Sequence, residues 1–551
     1  MRRVVKIMLC AAGFAGLAAF GQGWAQTSGV PKTALNALRR IAVQHNGRVK
    51  PLDSFARETL QQITGNPRFQ QQDPVETILL MMADSEPWQA KALVSVPFGP
   101  LREPLGMDRH AKAISYNDLV ASRKLMRMLP AISQKQQRSE KLTIQEEETM
   151  DVFGRFVAVS GVFEQKLHLA PPPAASLDVE WRAPQQLEGY PEPQAEAIRA
   201  SWTTVLGAIR AGRQETIITA AQQAAAALQQ ANPAAYPAAW RLTLEVFYNH
   251  AQPFHLAQLL YLMAFVLLAR VIASERRKRS ARIGLIMYAA AMLLHGAGIA
   301  MRVILGGRPP VSNFYETMLW LPFVLVVTAF IFERIYRANL FALAASILAA
   351  ATLMLADFVP LDSSISPVVA VLHSNLWLTI HVLTIVGSYG ALALAVGLAH
   401  IYAWLSLSRK RARSEIFAKL DLFLYRSLQV GVVTLAAGIM LGAVWANASW
   451  GRYWGWDPKE TWALITLLWY VAVLHGRMAG WLHGIWVALA TITGFFLLLM
   501  TYYGVSFYLV GLHSYAGGHA KPLPLLLIIY MAAEVAFLAL VGAAATRRRT
   551  S

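Results

Sequence analysis

The chain has 551 residues, of which 56% are hydrophobic and 15% charged, and its formal net charge at pH 7 is +18. A composition this apolar is typical of a polytopic membrane protein and argues against a soluble globular enzyme. The positive charge could suit a nucleic-acid-binding protein, but Arg and Lys lie largely at the ends of apolar segments, so we expect no nucleic-acid partner.

The N-terminus is typical of a secretory signal. Positively charged residues precede an apolar stretch from 7 to 20, and residues 23–25 form a small-x-small cleavage site. We therefore expect residues 1–25 to be a signal peptide and the following region to lie outside the cytoplasm. The only cysteine, Cys10, lies inside this signal, so a processed chain would offer no thiol for disulfide exchange or metal ligation.

Residues 26–253 are predicted to form a mainly helical extracytoplasmic domain. Short apolar helical patterns alternate with charges up to about residue 170, a run of three prolines at 171–173 marks a break, and residues 201–230 are rich in Ala and Gln. No catalytic constellation is visible here, so we expect an interaction or scaffolding role.

Nine apolar segments long enough to cross a bilayer follow, and they predict an all-α polytopic membrane protein. They lie near 255–273, 283–305, 316–333, 340–358, 376–407, 427–446, 461–479, 484–509 and 523–545. If the first begins outside, the clusters of Arg and Lys at 276–282, 334–337, 409–413 and 547–549 all fall on the cytoplasmic side. We expect a multi-pass protein of the bacterial cytoplasmic (inner) membrane, with a transmembrane domain at 254–546 and a cytoplasmic tail at 547–551.

An aromatic run between the sixth and seventh predicted spans is the most informative motif. Residues 450–462 read WGRYWGWDPKETW and follow the pattern W-G-x-x-W-x-W-D-x-x-E. An aromatic belt at the headgroup level is the simplest explanation, but a belt spreads its rings over many helix ends. A dense cluster at the membrane surface instead suits a large planar ligand.

Two histidines are predicted on the same outer side as this run. His381 lies near the outer end of the fifth span, and His513 lies just after the eighth. Haem iron can be held by two neutral imidazoles, one on each axial face, which loops at one membrane depth can supply. A single histidine at a membrane edge is more often a hydrogen-bonded structural residue, so the assignment depends on context.

The aromatic run resembles the tryptophan-rich WWD signature of the haem-handling proteins of cytochrome c maturation. The strings around His381 and His513, and the motif G-x-x-P-x-S-N-x-Y-E at 307–316, resemble motifs of the CcsA/ResC type, in the family's order, over residues 255–545. The resemblance implies that His381 and His513 are axial haem ligands. It also implies a haem platform in a WWD loop at 446–462, comprising Trp450, Trp454, Trp456, Asp457 and Glu460.

Further candidate residues follow from the resemblance and from the predicted topology. The surroundings of His475 resemble the family's membrane-embedded ligand motif, whose second ligand would come from a separate subunit. His295 is a polar residue in mid-membrane and so a candidate ligand. The charge and side of Arg308, Arg452 and Lys459 make them candidates to neutralise the haem propionates. In the 307–316 motif we expect a structural role, with Glu316 paired to an arginine.

The resemblance implies system II cytochrome c maturation. The protein would bind non-covalent haem b in transit, export it, and present it outside for thioether attachment to the CxxCH of apocytochrome c. Its expected partners are a CcsB/ResB-type membrane subunit, apocytochrome c and, indirectly, thiol-reducing proteins. It would act as a subunit of a holocytochrome c synthase, although the sequence leaves open whether the chain is itself an enzyme.

Three alternatives stay open. A CcmC- or CcmF-type protein shares the tryptophan signature but delivers haem to a chaperone or works with other subunits; the motifs at 307–316 and 511–515 favour the CcsA type. An unrelated membrane transporter would explain the spans but neither the histidine pair nor the aromatic run. A quinone-linked cytochrome b subunit would also bind haem through histidine, but it normally has paired ligands on its transmembrane helices. The aromatic run would then have no role.

Overall fold

A computed structural model describes residues 30–173, 180–273, 278–358, 363–365, 376–407, 414–513 and 525–550. The predicted signal peptide lies outside the described residues. From residue 17 onward the chain divides into two compact units. The N-terminal unit comprises 17–251 with 364–367, and the C-terminal unit comprises 252–363 with 368–551.

The N-terminal unit is mainly helical, as predicted, with four short strands. Its elements are α1 (Lys32–Leu38), β1 (Ala42–His45), β2 (Arg48–Pro51), α2 (Leu52–Thr64), α3 (Pro74–Ala83), α4 (Glu86–Gln89), β3 (Ala92–Ser95), α5 (Gly99–Leu105), β4 (Ala113–Ser115), α6 (Tyr116–Ser122), α7 (Lys124–Gln137), α8 (Ile144–Phe163), α9 (Glu192–Arg210), α10 (Gln214–Ala231) and α11 (Ala239–Ala251). Strands β1 and β2 pair antiparallel, and so do β3 and β4.

The β1–β2 hairpin turns through Asn46 and Gly47, which have φ angles of 51° and 72°. Positive φ at both central residues is typical of a two-residue type I′ turn, and Asn-Gly is its preferred sequence. Just beyond the turn, Arg48 donates two hydrogen bonds, of 2.7 and 2.6 Å, to the carboxylate of Glu245 on α11. Ser54 donates to the same carboxylate at 2.6 Å. A partly buried bidentate ion pair therefore fastens the hairpin to the last helix of this unit.

The C-terminal unit consists of helices. They are α12 (Pro253–Ala273), α13 (Lys278–Gly306), α14 (Phe314–Tyr336), α15 (Leu340–Phe358), α16 (Leu376–Leu407), α17 (Ser414–Trp450), α18 (Pro458–Met478), α19 (Ile485–Leu499), a π-helical turn (Met500–Gly504), α20 (Val505–Tyr508) and α21 (Leu525–Thr550). A π-turn inside a helix is rare and frequently marks a functional site.

Eight helices among the described residues are long and apolar enough to cross a bilayer. They are Ala239–Val271, Lys278–Gly306, Phe314–Tyr336, Leu340–Asp357, Leu376–Leu407, Glu415–Trp450, Ile485–Tyr508 and Leu527–Arg547. The predicted seventh span corresponds to α18, which is a helix of 21 residues but is not one of these eight. The prediction of an all-α multi-pass membrane protein is confirmed.

Helix α16 lies at the centre of the C-terminal unit and α21 at its periphery. In the apolar window of α16, 78% of the residues are buried by the rest of the protein, against 11% in the window of α21. A central helix offers well-fixed positions for side chains at its ends, and His381 lies in the second turn of α16.

Candidate functional site

His381 is fixed by the neighbouring helix α17. Its Nδ1 lies 2.8 Å from the backbone carbonyl oxygen of Gly438. A carbonyl only accepts, so Nδ1 carries the proton and Nε2 is the unprotonated nitrogen. No partner for Nε2 is present among the described residues. The ring packs over Gly442, where an added Cβ would lie 2.6 Å from Cε1 of the imidazole.

His513 is fixed by a carboxylate. Its Nδ1 lies 3.0 Å from Oδ1 of Asp457, while its Nε2 has no partner in the part of the chain that the structure describes. Burial opposes the charged form of Asp457, but hydrogen bonds from His513 and from the backbone N–H groups of Lys459 and Leu512 outweigh it. The pKa of Asp457 is therefore held below its usual value, and the residue is a carboxylate at neutral pH.

Trp445 joins the two histidines into one aromatic cluster. Its indole lies parallel to the His381 ring, with centroids 6.1 Å apart and 8° between the planes, and its centroid lies 5.7 Å from that of His513. Trp450 contacts both Trp445, at 4.6 Å, and His513, at 5.2 Å. The indole Nε1 of Trp445 is buried and has no hydrogen-bond partner among the described residues. Trp445 is not among the predicted site residues because it lies within the predicted sixth span.

Trp454 and Trp456 form a second aromatic pair. Their rings meet edge to face at 5.7 Å, and among the described residues no ring contact joins them to either histidine. Trp456 has φ +57° and is 70% exposed, and Tyr453 is 61% exposed. Exposed aromatic residues in the same loop leave apolar ring surface open to a ligand or partner.

Asp457 and Glu460, predicted as parts of the haem platform, both accept hydrogen bonds from backbone N–H groups. Asp457 is the N-cap of α18, and Glu460 accepts from the backbone N–H groups of Gly455, at 2.8 Å, and Asp457, at 3.1 Å. This reciprocal capping box satisfies N–H groups that the first turn of a helix leaves unpaired. The two carboxylates therefore shape the WWD loop.

Two of the three candidates for binding the haem propionates already donate hydrogen bonds to protein groups. The ammonium of Lys459 donates to Ser506, at 2.7 Å, and to the carbonyl of Tyr502 in the π-turn, at 3.1 Å. Arg308 donates to Glu316 at 2.6 Å, which confirms the predicted pairing of Glu316 with an arginine. Arg452, in contrast, is exposed within the WWD loop.

His475 and His295 differ sharply in surroundings. His475 is exposed on the outside of α18, with Nδ1 2.8 Å from the carbonyl of Val471. His295 is fully buried, with Nε2 3.0 Å from the carbonyl of Leu319 and Nδ1 3.5 Å from the hydroxyl of Tyr261. Both ring nitrogens of His295 lie within hydrogen-bonding distance of protein groups, an arrangement that fits a packing role.

His400 and Glu534 form a pair within the predicted spans that was not among the predicted site residues. His400 on α16 has Nε2 2.8 Å from Oε1 of Glu534 on α21, and its Nδ1 lies 2.8 Å from the carbonyl of Val396. Glu534 is a lone carboxylate within the ninth predicted span, which is a signal that the sequence did contain.

The donor chemistry of the His381–His513 cluster fits haem iron. Histidines that ligate metals usually donate their second ring N–H to a carbonyl or carboxylate, and both histidines do so here. Each leaves Nε2 without a partner among the described residues, and the buried indole N–H of Trp445 is an additional donor between them.

Comparisons with known proteins relate this region to cytochrome c assembly. Residues 311–513, which contain both histidines and the aromatic run, match the family model described as cytochrome c assembly protein. The cytochrome c biogenesis protein CcsA of Synechococcus sp. (strain CC9902) is 36% identical over 300 residues, covering 48% of this chain and 97% of that protein. CcsA of Synechococcus sp. (strain CC9605) is 35% identical over 298 residues, with the same shares.

A longer match extends into the N-terminal unit. Protein NrfI of Wolinella succinogenes is 30% identical over 502 residues, which cover 87% of this chain and 54% of that protein. The chain thus spans about half the length of NrfI.

Proposed function

The chain belongs to the cytochrome c assembly family of CcsA-like proteins, and from this premise we propose that it binds haem b at the outer face of the bacterial cytoplasmic membrane and presents it to apocytochrome c. The observation that carries the proposal is the pair His381 and His513. Each has Nδ1 anchored and Nε2 unpartnered among the described residues, and Trp445 lies between them.

Each residue of the cluster has a separate task. His381 and His513 would hold the iron through Nε2, and Trp445 and Trp450 would surround the site with aromatic surface and limit the access of water. The exposed ring of Trp456, with the half-buried ring of Trp454 beside it, supplies further surface, in keeping with the resemblance to the WWD signature. Arg452 is the available cation for a propionate, because Arg308 and Lys459 already bind protein groups.

Bound haem supplies two vinyl groups, to which the thiols of CxxCH add to form thioethers. This chain orients the porphyrin plane and fixes the geometry in which haem and the thiols meet. Positioning of this kind lowers the activation barrier of a bimolecular reaction. We infer that the chain acts as a subunit of a holocytochrome c synthase in a system II pathway. The thiols come from apocytochrome c and are kept reduced by other proteins.

The exposure of His475 supports a second, membrane-embedded haem contact. The free side of its ring faces away from the bundle, where a ligand from another membrane subunit could complete an axial pair. We propose a CcsB/ResB-type subunit as that partner, with haem passing from the His475 contact to the outer site during export.

The deciding experiment is haem quantification in the purified protein. Wild type, the double variant His381→Ala/His513→Ala and the control His483→Ala, an exposed histidine, are purified in detergent and assayed by reduced absorption spectra and pyridine extraction. We expect b-type haem in wild type and control, a loss of at least tenfold in the double variant, and partial recovery of each single variant with imidazole. Equal haem in the double variant, or haem-free wild type purified with its partner, would refute the proposal.

A further inference from the structure

We propose that Asp457 is the positioning residue that makes His513 a haem ligand. The two histidines are then held differently, His513 by a carboxylate and His381 by two packed helices. The inference rests on the proposed function, because it concerns how the chain orients the ligands of that same site. It assigns Asp457 a task besides capping α18.

The Asp457 carboxylate ties together two segments that are distant in sequence. Oδ1 accepts from the backbone N–H of Lys459 at 2.9 Å and from Nδ1 of His513 at 3.0 Å. Oδ2 accepts from the backbone N–H of Leu512 at 2.7 Å. The side chain is only 4% exposed, so these bonds are shielded from competing water. One carboxylate thus fixes both the backbone and the ring of the loop that carries His513.

The loop approaches Asp457 closely because residue 511 is glycine. A Cβ at Gly511 would lie 2.5 Å from Oδ2 of Asp457 and 3.0 Å from Cδ of Pro458. Contacts that short would force the loop away and lengthen the bonds to Leu512 and His513. The glycine and the carboxylate therefore act together to place the ring.

His381 needs no such carboxylate. It lies within α16, its Nδ1 donates to a backbone carbonyl of α17, and its ring is confined between Gly442 and Trp445. Two packed helices set its orientation. Removal of the Asp457 carboxylate should therefore release His513 and leave His381 in place.

The two partners also differ in chemistry. An imidazole that donates to a carboxylate is a stronger donor to iron than one that donates to a neutral carbonyl. His513 should accordingly be the more electron-donating ligand and should favour the ferric state. A neutral amide at position 457 would weaken that donation and raise the reduction potential of the bound haem.

A serine substitution separates capping from positioning. Serine is a good N-cap and can satisfy the first turn of α18, but it is too short to reach His513 and Leu512 as well. We expect D457S to behave like His513→Ala. The low-spin signal of two imidazoles should be lost, haem retention should fall at least tenfold, and added imidazole should restore the low-spin spectrum. The control Thr143→Ala removes an N-cap of the N-terminal unit and should keep the wild-type spectrum.

A second variant covers the case in which D457S fails to fold. D457N keeps the side-chain length and one oxygen acceptor, so it should retain haem with a higher reduction potential.

A haem-free measurement adds an independent readout: diethyl pyrocarbonate should modify His513 faster in D457S than in wild type. If wild type holds haem and both variants keep its spectrum, content and potential, Asp457 is only a helix cap. If wild type holds no haem, the proposed function itself has failed.

Discussion

The imidazole of His381 lies parallel to the indole of Trp445, with ring centroids 6.1 Å apart and 8° between the planes. The indole N–H of Trp445 is nevertheless buried without a hydrogen-bond partner in the described chain. A buried polar group left unsatisfied costs about 1–3 kcal/mol, and a hydrogen bond to a bound ligand would remove that cost. We infer that this N–H serves the bound ligand.

Trp445→Phe tests that inference, because phenylalanine keeps an aromatic ring beside His381 and removes only the N–H and part of the area. We expect the haem-free variant to be at least as stable as wild type in thermal unfolding, whereas haem retention should fall about threefold to tenfold. Trp481→Phe is the control, since Trp481 lies outside the site and is 80% exposed. Unchanged haem retention in Trp445→Phe would show that the N–H has no role in binding.

Gly442→Ala should disturb the site through a single methyl group. The added Cβ would lie 2.6 Å from Cε1 and 2.9 Å from Nδ1 of His381, so the ring must move or the two helices must separate. We expect a marked loss of the low-spin haem signal with helix content unchanged in circular dichroism. Gly542→Ala is the control, because a Cβ there meets nothing within 4 Å. Equal haem signals in the two variants would show that the ring has room to shift.

The sequence predicted the helices better than the site. The fifth predicted span coincides with α16 because a long apolar run between polar ends determines a membrane helix almost alone. The capping box of Asp457 and Glu460 was also readable, since Asp-Pro-x-Glu before an apolar run is a helix-start signal. The tertiary contacts were not: the packing of His295 against Tyr261 and Leu319 depends on how three helices meet.

Glu316 should matter more for stability than Arg308. Glu316 pairs with Arg302 at 3.1 Å and with Arg308 at 2.6 Å, and its side chain and that of Arg302 are almost fully buried. Glu316→Gln removes the negative charge from both pairs, which for a buried pair costs about 3–5 kcal/mol, whereas Arg308→Met leaves the Arg302 pair intact and should cost less. Thermal unfolding in detergent provides the comparison.

The same Arg308→Met variant tests the propionate assignment. Because the guanidinium is engaged by Glu316, we expect haem per folded protein to be unchanged, while Arg452→Met should lower it. A selective loss of haem in Arg308→Met would show that Arg308 binds a propionate despite its pairing with Glu316.

Cysteine labelling would determine which side of the membrane carries the WWD loop. Cys10 is the only cysteine, so Cys10→Ser gives a background without thiols. In that background we expect Tyr453→Cys to react with a membrane-impermeant maleimide in intact cells, and Trp481→Cys to react only after permeabilisation. Both positions are well exposed, at 61% and 80%, so poor access within the protein would not explain a difference. The reverse pattern would invert the proposed topology and place the haem site on the cytoplasmic side.

Acid should loosen the N-terminal unit around His45. Burial lowers the pKa of His45 to about 4, with further contributions from the positive charge of Lys50 and from His168. In the unfolded chain the pKa is about 6.5, so the folded state binds the proton more weakly and protonation favours unfolding. The contribution of neutral His45 to stability is therefore fully present above pH 6.5 and is lost as the pH falls towards 4.

Hydrogen–deuterium exchange of peptides covering residues 41–55, measured on the full chain between pH 7.5 and 4 and corrected for intrinsic exchange, would follow this loss. We expect protection of the hairpin and of the start of α2 to decline in that window, because His45 packs edge to face on Phe55 at 5.0 Å. His45→Gln should flatten the pH dependence, since glutamine has no proton to gain, and the exposed His110→Gln should leave it unchanged. A pH profile that is the same in His45→Gln as in wild type would assign the acid sensitivity to another group.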